Sequence, residues 1–276
     1  MNKARQDIII TGIPRSGTSY LCNLLNRYNN CVIINEPREA WKVTSGWWPG
    51  IRLRKLYKNI REKIVRGLPI ENKIAGGEII ADTRLKDERY FYNPETSDQN
   101  FVLGIKNTLG FLLCLGDICK AMPTVTIVVN VRHPYDTIGS WLNSFAHLKT
   151  ADVPRLSNKK IVKRLSKNQQ AIINQIQQAG EVALRRALLW QLLSDIIIDN
   201  RQNIHLVNYN TLVANPQPLL NSFIGAMNIG KLAQPIEASQ ARRRDNRLTE
   251  QQKKYIDEQC KENAEKLGVW QIETTV

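Results

Sequence analysis

Short apolar runs and helical stripes alternate along this chain. Residues 7–11 (DIIIT) read as a strand buried on both faces, ending in GIPRSGTS. Residues 20–28 follow, with Leu21, Leu24 and Leu25 on one helical face. A second short strand covers 32–34 and stops at Asn35-Glu36-Pro37. Residues 52–66 carry Leu53, Leu56, Ile60 and Ile64 at helical spacing. A third strand at 101–105 leads through Lys106 into a predicted helix over 109–120. The strongest strand, 124–131 (TVTIVVNV), runs directly into RHPYDTIGSW. Residues 161–200 read as largely helical, with a break at Ala179-Gly180. A fifth strand at 205–208, a helix from about 216 to 227 and an amphipathic helix over 249–267, capped by Thr249, complete the pattern.

Strands alternating with helices predict an α/β fold with a mostly parallel sheet. No repeat, low-complexity tract or linker divides the sequence, so one domain over 1–276 is expected. The irregular stretch 41–99 reads as an insertion that forms a lid or part of a binding surface.

Composition narrows this picture only in part. Hydrophobic residues at 42% and charged residues at 23% are ordinary for a globular chain and exclude wholesale disorder. No apolar window reaches the ~18 residues of a transmembrane helix, and the first residues show no secretory pattern. The five cysteines are odd in number and form no CxxC pair, so reduced thiols in a cytoplasmic protein are expected. The formal charge of +14 predicts attraction to nucleic acid, an anionic membrane or a multiply charged small ligand.

Two segments carry candidate chemistry. Gly12-Ile13-Pro14-Arg15-Ser16-Gly17-Thr18-Ser19 lies between a strand and a helix, where backbone N–H groups and the helix end converge on an anion. Its glycines have the spacing of a nucleotide triphosphatase loop, but Thr18 stands where that loop has lysine, and the cation is Arg15. The acid that such an enzyme places at the end of a second strand is also missing, because 127–131 ends in Arg132-His133-Pro134. Arg132 instead leaves a strand at the edge where open α/β sheets bind ligands, with Pro134 suited to the first turn of a helix. Ser140, two turns along, can join Arg132 at one phosphate.

These residues resemble the sulfotransferases that use 3′-phosphoadenosine 5′-phosphosulfate. GIPRSGTS is similar to their 5′-phosphosulfate loop and VNVRHPYDTIGSW to their 3′-phosphate motif, where the Arg and the Ser eight residues later bind the phosphate. VNYNTLVANP resembles the segment that brings a Tyr near the adenine, matching Tyr209. ARRRDNRLTEQQ resembles the C-terminal basic loop, with Arg242, Arg243 or Arg244 closing over the nucleotide and Arg243 the central choice. The resemblance implies a three-layer fold of the P-loop kind, with about five mostly parallel strands flanked by helices. It further implies donor contacts from Pro14, Arg15, Ser16, Gly17, Thr18, Ser19, Arg132, Ser140, Tyr209 and Arg243, and no metal. The implied reaction is in-line transfer of a sulfuryl group to a hydroxyl or nitrogen of a small molecule or sugar, with 3′-phosphoadenosine 5′-phosphate as product.

In-line transfer needs charge stabilisation at the leaving oxygen and a base for the acceptor proton. Arg15 stabilises charge but is a poor proton donor. Lys106 matches the family lysine at the sulfuryl oxygens. The Lys-x-His motif of the aryl and steroid branch reads Lys106-Asn107-Thr108 here, without the histidine. Glu36 in NEPREAW resembles the catalytic Glu of the carbohydrate and tyrosylprotein branches and is the expected base, with His147 in reserve. His133 and His205 read as packing residues. Residues 52–66, with seven basic residues and one acid, read as a solvated amphipathic face in preference to a dock for an anionic acceptor or membrane. Trp41, Trp47 and Trp48 suit either the acceptor pocket or the core.

The expected partner is therefore a small-molecule or carbohydrate acceptor, not nucleic acid. The chain resembles bacterial enzymes that tailor natural products, those acting on saxitoxin-type guanidinium toxins being of similar size. A competing reading is an inactive nucleotide- or polyanion-binding protein on the same fold.

Overall fold

The computed structural model describes residues 7–75, 78–80, 89–96, 99–225, 227, 229–232, 235–241 and 243–271. Its strands are β1 (Asp7–Gly12), β2 (Cys31–Asn35), β3 (Ile70–Asn72), β4 (Ile74–Ala75), β5 (Glu78–Ile79), β6 (Tyr90–Tyr92), β7 (Val102–Lys106), β8 (Thr126–Val131) and β9 (His205–Asn208). The helices in the first half are α1 (Thr18–Leu25), α2 (Arg38–Ser45), α3 (Pro49–Val65), α4 (Thr108–Leu112), α5 (Leu115–Ala121) and α6 (Pro134–Trp141). Those in the second half are α7 (Ala146–Lys149), α8 (Lys159–Val162), α9 (Lys167–Gln178), α10 (Val182–Asp199), α11 (Tyr209–Ala214), α12 (Pro216–Ile224) and α13 (Glu250–Lys266).

Five strands pair in the order β2-β7-β1-β8-β9, and every pairing in that sheet is parallel. Side chains alternate between two apolar layers. Ile9, Val32, Ile34, Leu103, Ile105, Ile127 and Val129 face a core shared with α3, α4, α9, α10 and α13. Ile8, Ile10, Ile33, Val102 and Val128 face a second core against α1, α11 and α12. Burial on both faces is why the strands are continuous apolar runs without polar alternation. Helix α10 buries Leu188, Leu189, Trp190, Leu192, Leu193, Ile196 and Ile197 around most of its girth, as expected of a helix enclosed by neighbours.

The strand arrangement positions the chemistry. The chain enters at β1 in the middle of the sheet and fills both flanks, so ligands belong at the carboxyl ends of the strands. Beyond those ends lie residues 13–17, Glu36, Asn107, Arg132 and Tyr209.

Three predicted elements differ in extent. Helix α1 ends at Leu25, because the chain turns to enter β2. The helix expected over 109–120 is two helices, since Cys114 leaves helical geometry at φ −129, ψ 25. Apolar residues on all sides of that stretch hide the break from any periodicity. Residues 41–99 are more regular than expected, with most of α2, all of α3 and the antiparallel pairs β3–β6 and β4–β5. Strands of two or three residues are too short to show alternation.

Tyr57 ties α3 to the sheet. Its hydroxyl donates to Ile8 O at 2.6 Å and accepts the Ile105 N–H at 3.1 Å, joining β1 and β7. Tyr57→Phe should remove the two buried hydrogen bonds of the hydroxyl to these ladder groups and lower stability by ~2 kcal/mol, as read from urea unfolding. An unchanged midpoint would show that these groups do not depend on the hydroxyl.

Candidate active site

The first loop is built on a strained backbone. Gly17, at φ 86, caps α1, and a Cβ there would run into the Tyr209 ring. Arg15 holds φ 73, a conformation that an L side chain adopts only where its surroundings enforce it. The enforcing bonds come from below. Asn130 O accepts the Ile13 N–H at 3.1 Å and the Ser16 hydroxyl at 2.9 Å. Trp141 Nε1 donates to Pro14 O at 2.9 Å. The first-turn N–H groups of α1 have no partner within the helix and point toward the loop.

Ser16 takes a different position from its neighbours. Its hydroxyl also donates to Ile13 O, and its N–H donates to the same oxygen. Fully buried, it braces the loop from beneath and does not line the cavity. Pro14, Arg15, Gly17, Thr18 and Ser19 do line it, in a space of about 550 Å³.

The second cationic element meets the first directly. Arg15 Nε donates to Ser140 Oγ at 3.4 Å. Arg132, also in the lining, packs its guanidinium 4.4 Å from the centre of the Tyr209 ring. Behind it Asp136 Oδ2 lies 3.5 Å from Arg132 Nη2. Burial pushes the Arg132 guanidinium down from its ordinary value, with Asp136 opposing the shift.

Of the three consecutive arginines, Arg244 lines the cavity. Its N–H donates to Asp136 Oδ1, and Gly139 admits its backbone where a Cβ would collide. Arg243, the central choice from the sequence, is outside the lining and reaches Asp245 at 2.8 Å and Asp136 at 3.8 Å. Arg242 lies outside the described residues.

Between these cations stands a carboxylate. Glu36 follows β2 at φ 55, its N–H donating to Lys106 O at 2.9 Å and its carbonyl accepting from Arg89 Nη1 at 2.7 Å. That conformation leads its side chain to two ammonium groups. Lys106 Nζ donates to Oε1 at 2.7 Å and Lys73 Nζ to Oε2 at 2.9 Å. Lys106 also reaches Ser19 Oγ at 3.2 Å, linking the carboxylate to the loop. Burial pushes the Glu36 carboxyl up, but Lys106 and Lys73 outweigh it and hold it down at about 2.

Lys73, Arg89 and Thr108 are lining residues that sequence reasoning missed. Thr108 follows Lys106 closely and was visible as a polar residue at a strand end. Lys73 and Arg89 lie in the irregular stretch, where no local pattern signals a site. Of the three tryptophans, Trp41 lines the cavity with Leu109, Phe145 and Leu148, whereas Trp47 and Trp48 are exposed. Their place is neither pocket nor core. His147 also lines the cavity, and burial pushes its imidazole pKa down, leaving it neutral at pH 7. His133 caps α6 by accepting the Tyr135 N–H at 3.1 Å and stacks on Trp270. His205 opens β9 beside Phe223.

The depressed Glu36 carboxyl has a consequence for stability. Its ionised form stabilises the fold fully above its ordinary value of 4.5, and that contribution is lost as pH falls toward about 2. The stability margin of the native chain over Glu36→Gln should therefore narrow across that interval in acid titrations followed by urea unfolding. A margin constant with pH would contradict the two-lysine clamp.

Solved structures similar to this chain include two sulfotransferases. A sulfotransferase from Alicyclobacillus acidocaldarius aligns at 17% identity and a TM-score of 0.42, covering 85% of this chain and 87% of that one. A sulfotransferase from Mycobacterium avium aligns at 11% identity and a TM-score of 0.37, covering 80% of this chain and 63% of that one. Among curated proteins none matches. The model of the Sulfotransferase family matches residues 7–229, and this chain belongs to that family.

Proposed function

We propose that the chain transfers a sulfuryl group from 3′-phosphoadenosine 5′-phosphosulfate to a hydroxyl or nitrogen of a small-molecule or sugar acceptor. The observation that carries this is the Arg15–Ser140 hydrogen bond, which joins the loop to the Arg132 element across one serine hydroxyl. A nucleotide phosphorylated at both ends of its ribose fits two such cationic elements with an aromatic ring, Tyr209, between them. Among the described residues the lining holds six cations (Arg15, Lys73, Arg89, Lys106, Arg132 and Arg244) against the one carboxylate of Glu36, a balance that suits a polyanionic donor.

When bound, the donor supplies an activated sulfuryl group and a bisphosphate leaving group. Arg15, the α1 N–H groups and Lys106 would hold its 5′ end. Arg132 and Ser140 would hold its 3′-phosphate, and Arg244 would cover it in the role first given to Arg243. Lys106 is set to stabilise the charge that develops on the departing oxygen. Glu36 is set to accept the acceptor's proton. At rest its two lysines suppress its basicity; an anion that draws Lys106 away leaves it with Lys73 alone and raises that basicity. Neutral His147 in the same cavity is the reserve base.

The whole of 1–276 is proposed as one catalytic unit. Residues 41–99 supply Trp41, Lys73 and Arg89 to the cavity lining, where they would meet the acceptor. A cytoplasmic setting is supported by five free cysteines, four of them buried. No helix among the described residues is long and apolar enough to cross a membrane. Tailoring of a natural product is the use proposed for the reaction.

Two variants test these roles. Arg132→Ala should weaken binding of 3′-phosphoadenosine 5′-phosphate by ~10²-fold while barely altering AMP affinity, as expected for a lost charge-assisted phosphate contact. Equal weakening of both nucleotides would refute the 3′-phosphate role. Glu36→Gln should keep nucleotide affinity within a few-fold and cut turnover by ~10²-fold or more with any acceptor that the native enzyme sulfates. Near-native turnover would pass the base role to His147.

A further inference from the structure

The cavity leaves the charge on α3 unexplained. This helix buries Leu53, Leu56, Tyr57, Ile60 and Ile64 and turns its other face to solvent. Arg61 belongs to the buried side, 2.6 Å from Asp7. The outer face carries Arg52, Arg54, Lys55, Lys58, Lys63 and Arg66 with one acid, Glu62, which lies 3.8 Å from Lys58.

Large apolar side chains stand exposed where this helix begins. Trp47 is 49% exposed, Trp48 74% and Ile51 61%. Trp48 holds φ 52, ψ 57, a left-handed conformation that a bulky residue rarely adopts. The turn is nevertheless braced. Arg164 donates to Gly46 O at 2.7 Å and to Thr44 O at 3.2 Å, and its Nε lies 3.2 Å from Asp117. Lys160 places its ammonium 5.7 Å from the centre of the Trp47 ring, so α8 adds a cation beside that tryptophan.

Indole rings favour the boundary between water and hydrocarbon, and flanking lysines and arginines are attracted to anionic headgroups. A soluble polyanion offers no apolar layer for Trp48 and Ile51. An apolar protein groove leaves the cations without counter-charges. We propose that the Trp47–Trp48–Ile51 tip and the surrounding lysines and arginines dock this protein peripherally on an anionic lipid surface. The docking is a contact of side chains at a rigid turn, since the apolar face of α3 is already buried in the core.

Co-sedimentation of the full chain with vesicles tests this docking, using phosphatidylcholine alone and phosphatidylcholine mixed with phosphatidylglycerol. Native protein should bind the anionic vesicles and bind the neutral ones far more weakly. Trp47→Ala with Trp48→Ala should lower binding to anionic vesicles by ~10-fold or more, through loss of interfacial apolar contact. Lys55→Glu with Lys160→Glu should do so by ~10-fold or more, through loss of headgroup attraction. Both double variants change exposed side chains outside the cavity and should keep native melting temperatures and native affinity for 3′-phosphoadenosine 5′-phosphate. Failure of the native chain to sediment with anionic vesicles would overturn the proposal. So would full vesicle binding by the tryptophan variant, which would make the surface a polyanion site.

Discussion

Among the described residues six cationic side chains line one cavity and repel one another; the Glu36 carboxylate balances Lys106 and Lys73 from within the lining, and Asp136 stands behind Arg132. The two oxygens of Glu36 each take one ammonium group, Lys106 and Lys73, and its main-chain carbonyl takes Arg89. The left-handed backbone at Glu36 is the cost of aiming one residue at three cations. Removing a partner from such a buried arrangement is expensive because the remaining charges stay desolvated. The same balance of charge supports the proposed polyanionic donor, since such an anion would replace water and mutual repulsion with paired charge.

A parallel sheet is what makes the convergence possible. With every strand of the main sheet running the same way, the carboxyl ends share one edge, and each connection begins there. The loop at residues 13–17, Glu36, Arg132 and Tyr209 each follow a strand immediately, and Lys106 is the last residue of its strand. The positions are fixed by ladder register and by two buried apolar layers, so the site inherits the rigidity of the core. Asn130 and Trp141 extend that rigidity into the loop at residues 13–17 through bonds to its backbone.

This dependence on strand ends also explains what could be read in the sequence. Arg15, Glu36, Lys106, Arg132 and Tyr209 sit within a few residues of strong apolar runs, and Ser140 lies at a fixed spacing of eight residues from Arg132, so each was visible with its context. Lys73 and Arg89 were not visible, because they reach the cavity from short strands and coil whose placement depends on tertiary contacts. Arg243 and Arg244 are equivalent in sequence, and only the fit of Arg244 against Gly139 and Asp136 separates them. Ser16 looked like a ligand-binding loop residue, yet its hydroxyl is turned inward to Asn130 and Ile13. The exposure of Trp47 and Trp48 was likewise hidden, since apolar residues at a helix start ordinarily signal packing.

The most direct measurement is calorimetric titration of the native chain with 3′-phosphoadenosine 5′-phosphate, AMP and ATP, with and without magnesium. Tight binding of the bisphosphate that does not depend on magnesium is expected, with AMP and ATP much weaker. Preferential, magnesium-dependent binding of ATP would contradict the proposed function and point to phosphoryl transfer. Absence of binding by all three nucleotides would contradict it in favour of a polyanion-binding protein on a sulfotransferase fold.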